Sequence, residues 1–352
     1  MSTPAQALGL VLTALLSLAS PMRQGWAAAA ITTKEWTLYK EKFLDPAGRI
    51  IDNANGGISH SEGQGYGLLL SYLAENRGDF DRIWAFTRTE LMLRDDGLAV
   101  WKWDPAAAPH VSDTNDASDG DLLIAYGLAL AGAAWHRPDL TDTARTMAAA
   151  LAMGSMETVD DLVLLKPGNS GFGSGERADG PVVNPSYWVF EALPVLAELA
   201  PDGQWHELAT NGRALLFRSM KIGPSDLPPD WVSLKARPTA ADGFPKEFSY
   251  NALRIPLYLL RADIHDRDLL EPFLLQMSDP EGRVRIVDIA TGQTRQLLTD
   301  KGYRVIPALV SCVLDGAPLP DELRSFQPTD YYPSTLQLLA LAYARRHHPE
   351  CL

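Results

Sequence analysis

Two carboxylates stand where loop gives way to apolar helix. Glu62 lies in His60-Ser61-Glu62-Gly63-Gln64-Gly65-Tyr66-Gly67, after the turn-forming run Asn53-Ala54-Asn55-Gly56-Gly57 and before Leu68-Leu69-Leu70-Ser71-Tyr72-Leu73. Asp119 lies in Ser112-Asp113-Thr114-Asn115-Asp116-Ala117-Ser118-Asp119-Gly120-Asp121, ahead of a run to Trp135 that is apolar nearly all round. Singly, an acid at a helix start can do no more than complement the dipole, and Ser118 or Asp119 can cap the helix that follows. As a pair they can do chemistry. An ionised Asp119 close to Glu62 would raise the pKa of Glu62 and keep it protonated as a general acid. That division suits glycosidic cleavage, in which one carboxyl protonates the leaving oxygen and an anion stabilises the oxocarbenium-like transition state. The glycines beside Glu62 are expected to let a bulky ligand approach the backbone.

Other chemistries are excluded by what is missing. The aspartate run begins like a calcium loop, but Ser118 holds the required glycine position and Ile124 the closing glutamate position. No His/Cys cluster, phosphate-cradling glycine loop or Gly-x-Ser-x-Gly occurs, which excludes a zinc enzyme, a nucleotide enzyme and a serine hydrolase; neither metal nor cofactor is expected. The net charge of −13, with no basic cluster, excludes a nucleic-acid binder and disfavours anionic membranes, so a neutral or cationic polymer fits better. Two cysteines, Cys312 and Cys351, make no disulfide framework, and stability is expected from the core. Residues 7–19 form an apolar run of signal-peptide length and Ala27-Ala28-Ala29 offers a cleavage site, although no Lys or Arg precedes the run. The organisation expected is a signal peptide over 1–29 and a single domain over 30–352, exported to the periplasm or beyond, with no stable membrane insertion after cleavage.

The elements that must position the acids are mostly helical. Trp36, Tyr39 and Phe43 mark one face of a helix over 33–43, with Thr32 or Thr33 as its N-cap. Glu62 opens a helix to about residue 74, and further helices are expected over 79–93, 119–135, 139–153, 185–199, 203–219, 249–264, 268–277, 301–314 and 333–346. Residues 97–103 alternate like a strand and would put Trp101 and Trp103 on one face, and 162–165 is strand-like. Long loops at 95–118, 162–184, 220–248 and 279–300 should carry binding residues on a rigid helical scaffold. Helices pairing as hairpins, with loops gathered at one end, predict a closed helical toroid.

The motifs around Glu62 and Asp119, with Asn184-Pro185-Ser186-Tyr187 and Ser249-Tyr250-Asn251-Ala252-Leu253-Arg254, resemble glycoside hydrolase family 8, and within it the secreted endoglucanases that accompany bacterial cellulose synthase. The four motifs occur in order across most of the chain. The resemblance implies an all-α (α/α)6 barrel and endo-cleavage of β-1,4-glucan with inversion. It places Glu62 on the proton donor and Asp119 on the signature aspartate. One departure is Asn251, where many members carry the aspartate that activates water; an amide can orient water but not deprotonate it. Asp119, Asp116, Asp242 and Glu247 are the candidates for the base, Asp119 foremost, with Tyr250, Asn251 and Arg254 positioning the water.

Flat rings suit the apolar faces of sugars, so Trp101, Trp103, Tyr187 and Trp188, together with Asp116, are the candidate substrate contacts, against the alternative that large rings pack in the core. Trp36, Trp84 and Trp135 are assigned to packing, and His60 to a satisfied loop position. The function expected is an endo-β-1,4-glucanase acting as a monomer on β-1,4-glucan, linked to a cellulose synthase complex or to cellulose degradation. A chitosanase of the same family and a non-hydrolytic glucan-binding accessory of cellulose synthesis are the alternatives.

Overall fold

Helices start where the sequence supplies a cap and an apolar face. The computed structural model describes residues 29–352, so the segment expected as a signal peptide lies outside the described residues but for Ala29. α1 (Thr33–Phe43) begins at Thr32, whose hydroxyl accepts the Glu35 amide while the Glu35 carboxylate accepts the Thr32 amide. There follow α2 (Ser61–Leu73), α3 (Arg77–Phe86), α4 (Ser118–Trp135), α5 (Pro138–Gly154), α6 (Leu193–Leu199) and α7 (Trp205–Ser219). The second half adds α8 (Ile255–Arg261), α9 (Arg267–Gln276), α10 (Lys301–Asp315), α11 (Asp321–Arg324) and α12 (Tyr331–His347). α2, α4, α8 and α12 are buried along most of their length, as their unbroken apolar runs require.

The even-numbered helices form a closed inner ring. α2 packs on α4, α4 on α6, α8 on α10, α10 on α12 and α12 back on α2, while the turns before α6 and α8 touch each other. The odd-numbered helices lie against this ring, as α3 does on α2 and α5 on α4. This is the (α/α)6 toroid expected. Three spans expected as single helices are interrupted. In 185–199 and 249–264 a 3-10 turn precedes the helix, and Pro194 and Pro256 sit in the first turn of α6 and α8, where their missing N–H costs nothing. In 79–93, Thr87 donates its hydroxyl to the Ile83 carbonyl and the chain widens into a π turn over Thr87–Leu91.

Strands are short and lie between helices. Of the strand expected over 97–103, only β2 (Lys102–Trp103) pairs, antiparallel to β1 (Ser59–His60). β3 (Met156–Val159) and β4 (Leu162–Leu165) form a hairpin. β5 (Val182–Val183), β6 (Val232–Ser233) and β7 (Thr239–Ala240) form a small sheet, in that order. β8 (Glu247–Phe248) joins a hairpin of β9 (Val284–Asp288) and β10 (Thr294–Leu298), inside a stretch expected to be loop. Among the described residues no helix is long and apolar enough to cross a membrane.

The cysteines correct the expectation that they do not staple the fold. Cys312 in α10 is bonded to Cys351, across a sequence separation of 39 residues, and ties the C-terminus to the inner ring. Loop-closure entropy for a loop of that size predicts that Cys312→Ser lowers stability by about 3–4 kcal/mol. Urea unfolding of the variant, beside reduced and oxidised wild type, checks this; equal midpoints for all three would sink it.

Candidate active site

The N-terminal ends of α2, α4, α8, α10 and α12 and the 3-10 turn ahead of α6 converge on one cleft of about 790 Å³. Its wall includes Glu62 from α2, the Asp119 end of α4, Tyr187 ahead of α6 and Arg254 ahead of α8. The starts of α10 and α12 complete it with Asp300, Tyr303, Asp330 and Tyr332. Positive helix ends gathered around one space favour the acids that face it.

Glu62 and Asp119 meet because α2 and α4 pack without side chains between them. A methyl group on Gly120 would collide with Ser61 Oγ and stand 2.6 Å from Glu62 N, and one on Gly65 would stand 2.5 Å from Leu123 Cβ. Of the glycines in the Glu62 motif, Gly65 therefore serves helix–helix approach and Gly67 the close seat of Ile50, which corrects the assignment of these two to ligand access. Gly120→Ala is expected to cost about 1–3 kcal/mol by overpacking. A displacement near 1 Å would lower kcat about tenfold to a hundredfold. Thermal unfolding and kcat on carboxymethyl cellulose read the two effects, and wild-type values for both would refute the packing argument.

One guanidinium joins the two acids. Arg254 Nη1 donates to Glu62 Oε1 and Nη2 to Asp119 Oδ2 at 2.7 Å, with Arg254 only 2% exposed. Its charge lies 5.8 Å from the Tyr187 ring centre and 5.6 Å from that of Tyr258. Asp119 Oδ1 accepts the Gly120 amide at 2.8 Å. Burial, and then the neighbouring Glu62 charge, push the Asp119 carboxyl up, and Arg254 and the Gly120 amide oppose the shift without cancelling it. Asp119, expected as the standing anion, is pushed up to about 6, which still leaves it charged at neutral pH. Ala117, not Ser118 or Asp119, is the α4 N-cap, and the Ser118 hydroxyl donates to the Lys166 carbonyl.

His60 caps α2. Its Nδ1 accepts the Gly63 amide at 3.0 Å, which puts the ring proton on Nε2, 3.5 Å from Asp52 Oδ2. Burial lowers its pKa, but the Asp52 hydrogen bond and the Glu62 charge outweigh burial and leave it raised.

Asn251 faces the cleft with its amide already oriented. Its Nδ2 donates to Asp230 Oδ2 at 3.3 Å, leaving the amide oxygen as the acceptor. Asp230 is buried and accepts the Ser249 and Ala252 amides at 2.9 Å each, and burial raises its pKa. Tyr250 is on the cleft surface, and its carbonyl accepts the Tyr332 hydroxyl at 2.7 Å. Arg254 was expected to position water; its bonds to both acids make it the link between them.

The remaining candidates divide. Trp101 and Tyr187 face the cleft, Trp101 anchored by Nε1 to Asp113 at 2.8 Å. Trp188 does not: it is 1% exposed and donates Nε1 to the Leu208 carbonyl at 3.0 Å, packed in the core. Trp103 lies outside the cleft, its ring between His110 and Phe86 at 4.2 and 5.7 Å. Asp116 is also outside, buried and accepting the Asn169 amide at 2.8 Å. Of the other base candidates, Asp242 pairs with Lys246 and Glu247 with Arg295, both outside the cleft. Residues that sequence reasoning missed are Asp52, Asp230, Asp300 and Asp330. Asp300 and Asp330 stand at the N-caps of α10 and α12, so the rule that singled out Glu62 and Asp119, an acid at the start of an apolar helix, would have found them. Among the described residues, no group of three or more His, Cys, Asp or Glu side chains is placed to hold a metal ion.

A family model described as Glycosyl hydrolases family 8 matches residues 16–346. A probable endoglucanase of Novacetimonas hansenii is 34% identical over 313 residues, covering 87% of this chain and 89% of that protein. Among solved structures, an endoglucanase from Komagataeibacter sucrofermentans superposes with a TM-score of 0.80 at 34% identity, covering 91% of this chain and 98% of the other. An endo-beta-1,4-glucanase from Acetobacter xylinum gives 0.77 at 32% identity, covering 90% and 98%.

Proposed function

The chain belongs to glycosyl hydrolases family 8, and from that premise we propose that it is an endo-β-1,4-glucanase in which Glu62 protonates the leaving glycosidic oxygen. The observation that carries the reading is the single buried guanidinium bonded to both Glu62 and Asp119 in the wall of the cleft. Asp119 shares that guanidinium with the acid, so the two lie on one side of the bond to be cut. There Asp119 stabilises positive charge developing on the sugar ring. Inversion requires a base that activates water from the opposite face. Asn251 orients that water through its amide oxygen, and the proton goes to one of the other cleft carboxylates, Asp52, Asp300 or Asp330. Trp101 and Tyr187 supply apolar faces for neighbouring sugars.

The apolar run at 7–19 and the Cys312–Cys351 bridge support a periplasmic or secreted enzyme, because disulfides persist in oxidising compartments. One catalytic domain from residue 30, acting as a monomer beside a cellulose synthase complex, completes the proposal and rests on the sequence resemblance. The test is hydrolysis of carboxymethyl cellulose followed by viscosity and reducing ends together. An endo-enzyme lowers viscosity long before reducing ends accumulate; a protein that binds the polymer and releases none refutes the reading.

A further inference from the structure

A basic hollow lies beyond the aromatic wall of the cleft. Tyr187, which lines the cleft, presents its ring at a steep angle to Trp231 with centres 6.0 Å apart. Trp231 stacks on Phe244 at 4.2 Å and lies parallel to Phe172 at 5.8 Å, and all three rings are partly exposed. Past them the Arg177 guanidinium sits 5.2 Å from the Phe244 ring centre and opens onto a hollow of about 760 Å³. The β5–β6–β7 sheet builds the region: Trp231 leads into β6, and Lys235 and Arg237 sit on the turn between β6 and β7.

The hollow's acids are already engaged, and of its three cations Arg177 pairs with Asp179 while Lys235 and Arg237 have no acid partner among the described residues. Asp179 accepts from Arg177 Nε at 2.9 Å and from the Asp242 amide at 2.8 Å, and Asp242 pairs with Lys246 at 3.0 Å. The Lys235 ammonium donates to the Ala178 carbonyl at 2.7 Å, a neutral acceptor that leaves its charge unmatched. Among the described residues Arg237 has neither an ion-pair partner nor a side-chain hydrogen bond. In a chain of net charge −13 a cationic pocket set in line with the cleft is an exception. A neutral glucan gains nothing from it.

We propose that this hollow is an exosite for anionic substituents, carboxylates above all, on a β-1,4-glucan whose backbone lies along Tyr187, Trp231 and Phe244. The enzyme then takes acid-substituted glucan in preference to neutral glucan. The inference rests on the assignment of the cleft to β-1,4-glucan cleavage.

The test compares wild type with Lys235→Ala/Arg237→Ala on carboxymethyl cellulose and on neutral hydroxyethyl cellulose. Both side chains are exposed, and the substitutions leave Glu62, Asp119, Arg254 and the rings in place. The expected result is a KM for the anionic polymer raised about three- to tenfold at low salt, as two exposed charge contacts allow. The kcat stays unchanged, and so does the KM for the neutral polymer. Roughly 0.5 M salt should remove the difference by screening. Equal KM values for wild type and variant on carboxymethyl cellulose, or equal losses on both polymers, overturn the proposal. Retardation in gels cast with each polymer reads binding without turnover: if wild type cleaves neither polymer the glucanase reading fails, and loss of retardation in the anionic gel alone still decides the exosite.

Discussion

Glu62→Gln folds normally, and its kcat on carboxymethyl cellulose falls by about two to four orders of magnitude, the usual contribution of a positioned general acid. The substitution keeps the shape of the side chain and an oxygen that can accept from Arg254 Nη1, so the link across the cleft survives. What is lost is the proton that the leaving oxygen needs. KM should change little, because Trp101 and Tyr187 still hold the sugars. Asp119→Asn is the companion variant, and it removes a charge rather than a proton donor. Its kcat loss is expected to be smaller, because Glu62, the proton donor, remains and keeps its bond to Arg254. Circular dichroism and unfolding midpoints guard against a folding artefact. A Glu62→Gln enzyme that keeps more than about a tenth of wild-type kcat is incompatible with Glu62 as the acid.

The acids were legible because their signal is local. Glu62 and Asp119 each open a helix whose residues are apolar almost all round, and such helices have to lie inside. The Arg254 link was not legible, because it joins residues 192 and 135 positions apart, and nothing in the spacing of Ser249-Tyr250-Asn251-Ala252-Leu253-Arg254 says which acids the guanidinium meets. Tyr187 and Trp188 show a different limit. They are neighbours in sequence, but at the end of a 3-10 turn one ring enters the cleft and the next enters the core, a phase that the expected continuous helix could not resolve. Asp230 behind Asn251, and Cys312 opposite Cys351, are likewise non-local meetings that only the closed ring produces.

Arg254→Met should be the most destabilising single change in the cleft, and its cost should depend on pH. Removing one member of a buried charge network costs about 3–5 kcal/mol when the remaining charges stay uncompensated. Here two carboxylates would face each other with their shared cation gone. Asp119 is already pushed up while Arg254 opposes the shift; without the guanidinium it rises further. A carboxyl whose pKa is higher folded than unfolded adds stability at pH values below its unfolded value, about 3.9 for Asp, and loses that contribution as pH rises through the folded value. The deficit relative to wild type should therefore be largest above neutrality and should narrow as the solution is made acidic. Urea midpoints at about pH 5 and pH 8 read this directly, and an equal deficit at both would mean that Arg254 contributes by packing rather than by charge. Arg254→Met/Asp119→Asn supplies the control: deleting one of the two facing charges should restore most of the stability at pH 8. That result would assign the deficit to repulsion between the two carboxylates; activity is not its readout, because Asp119→Asn by itself removes the charge that faces the sugar ring.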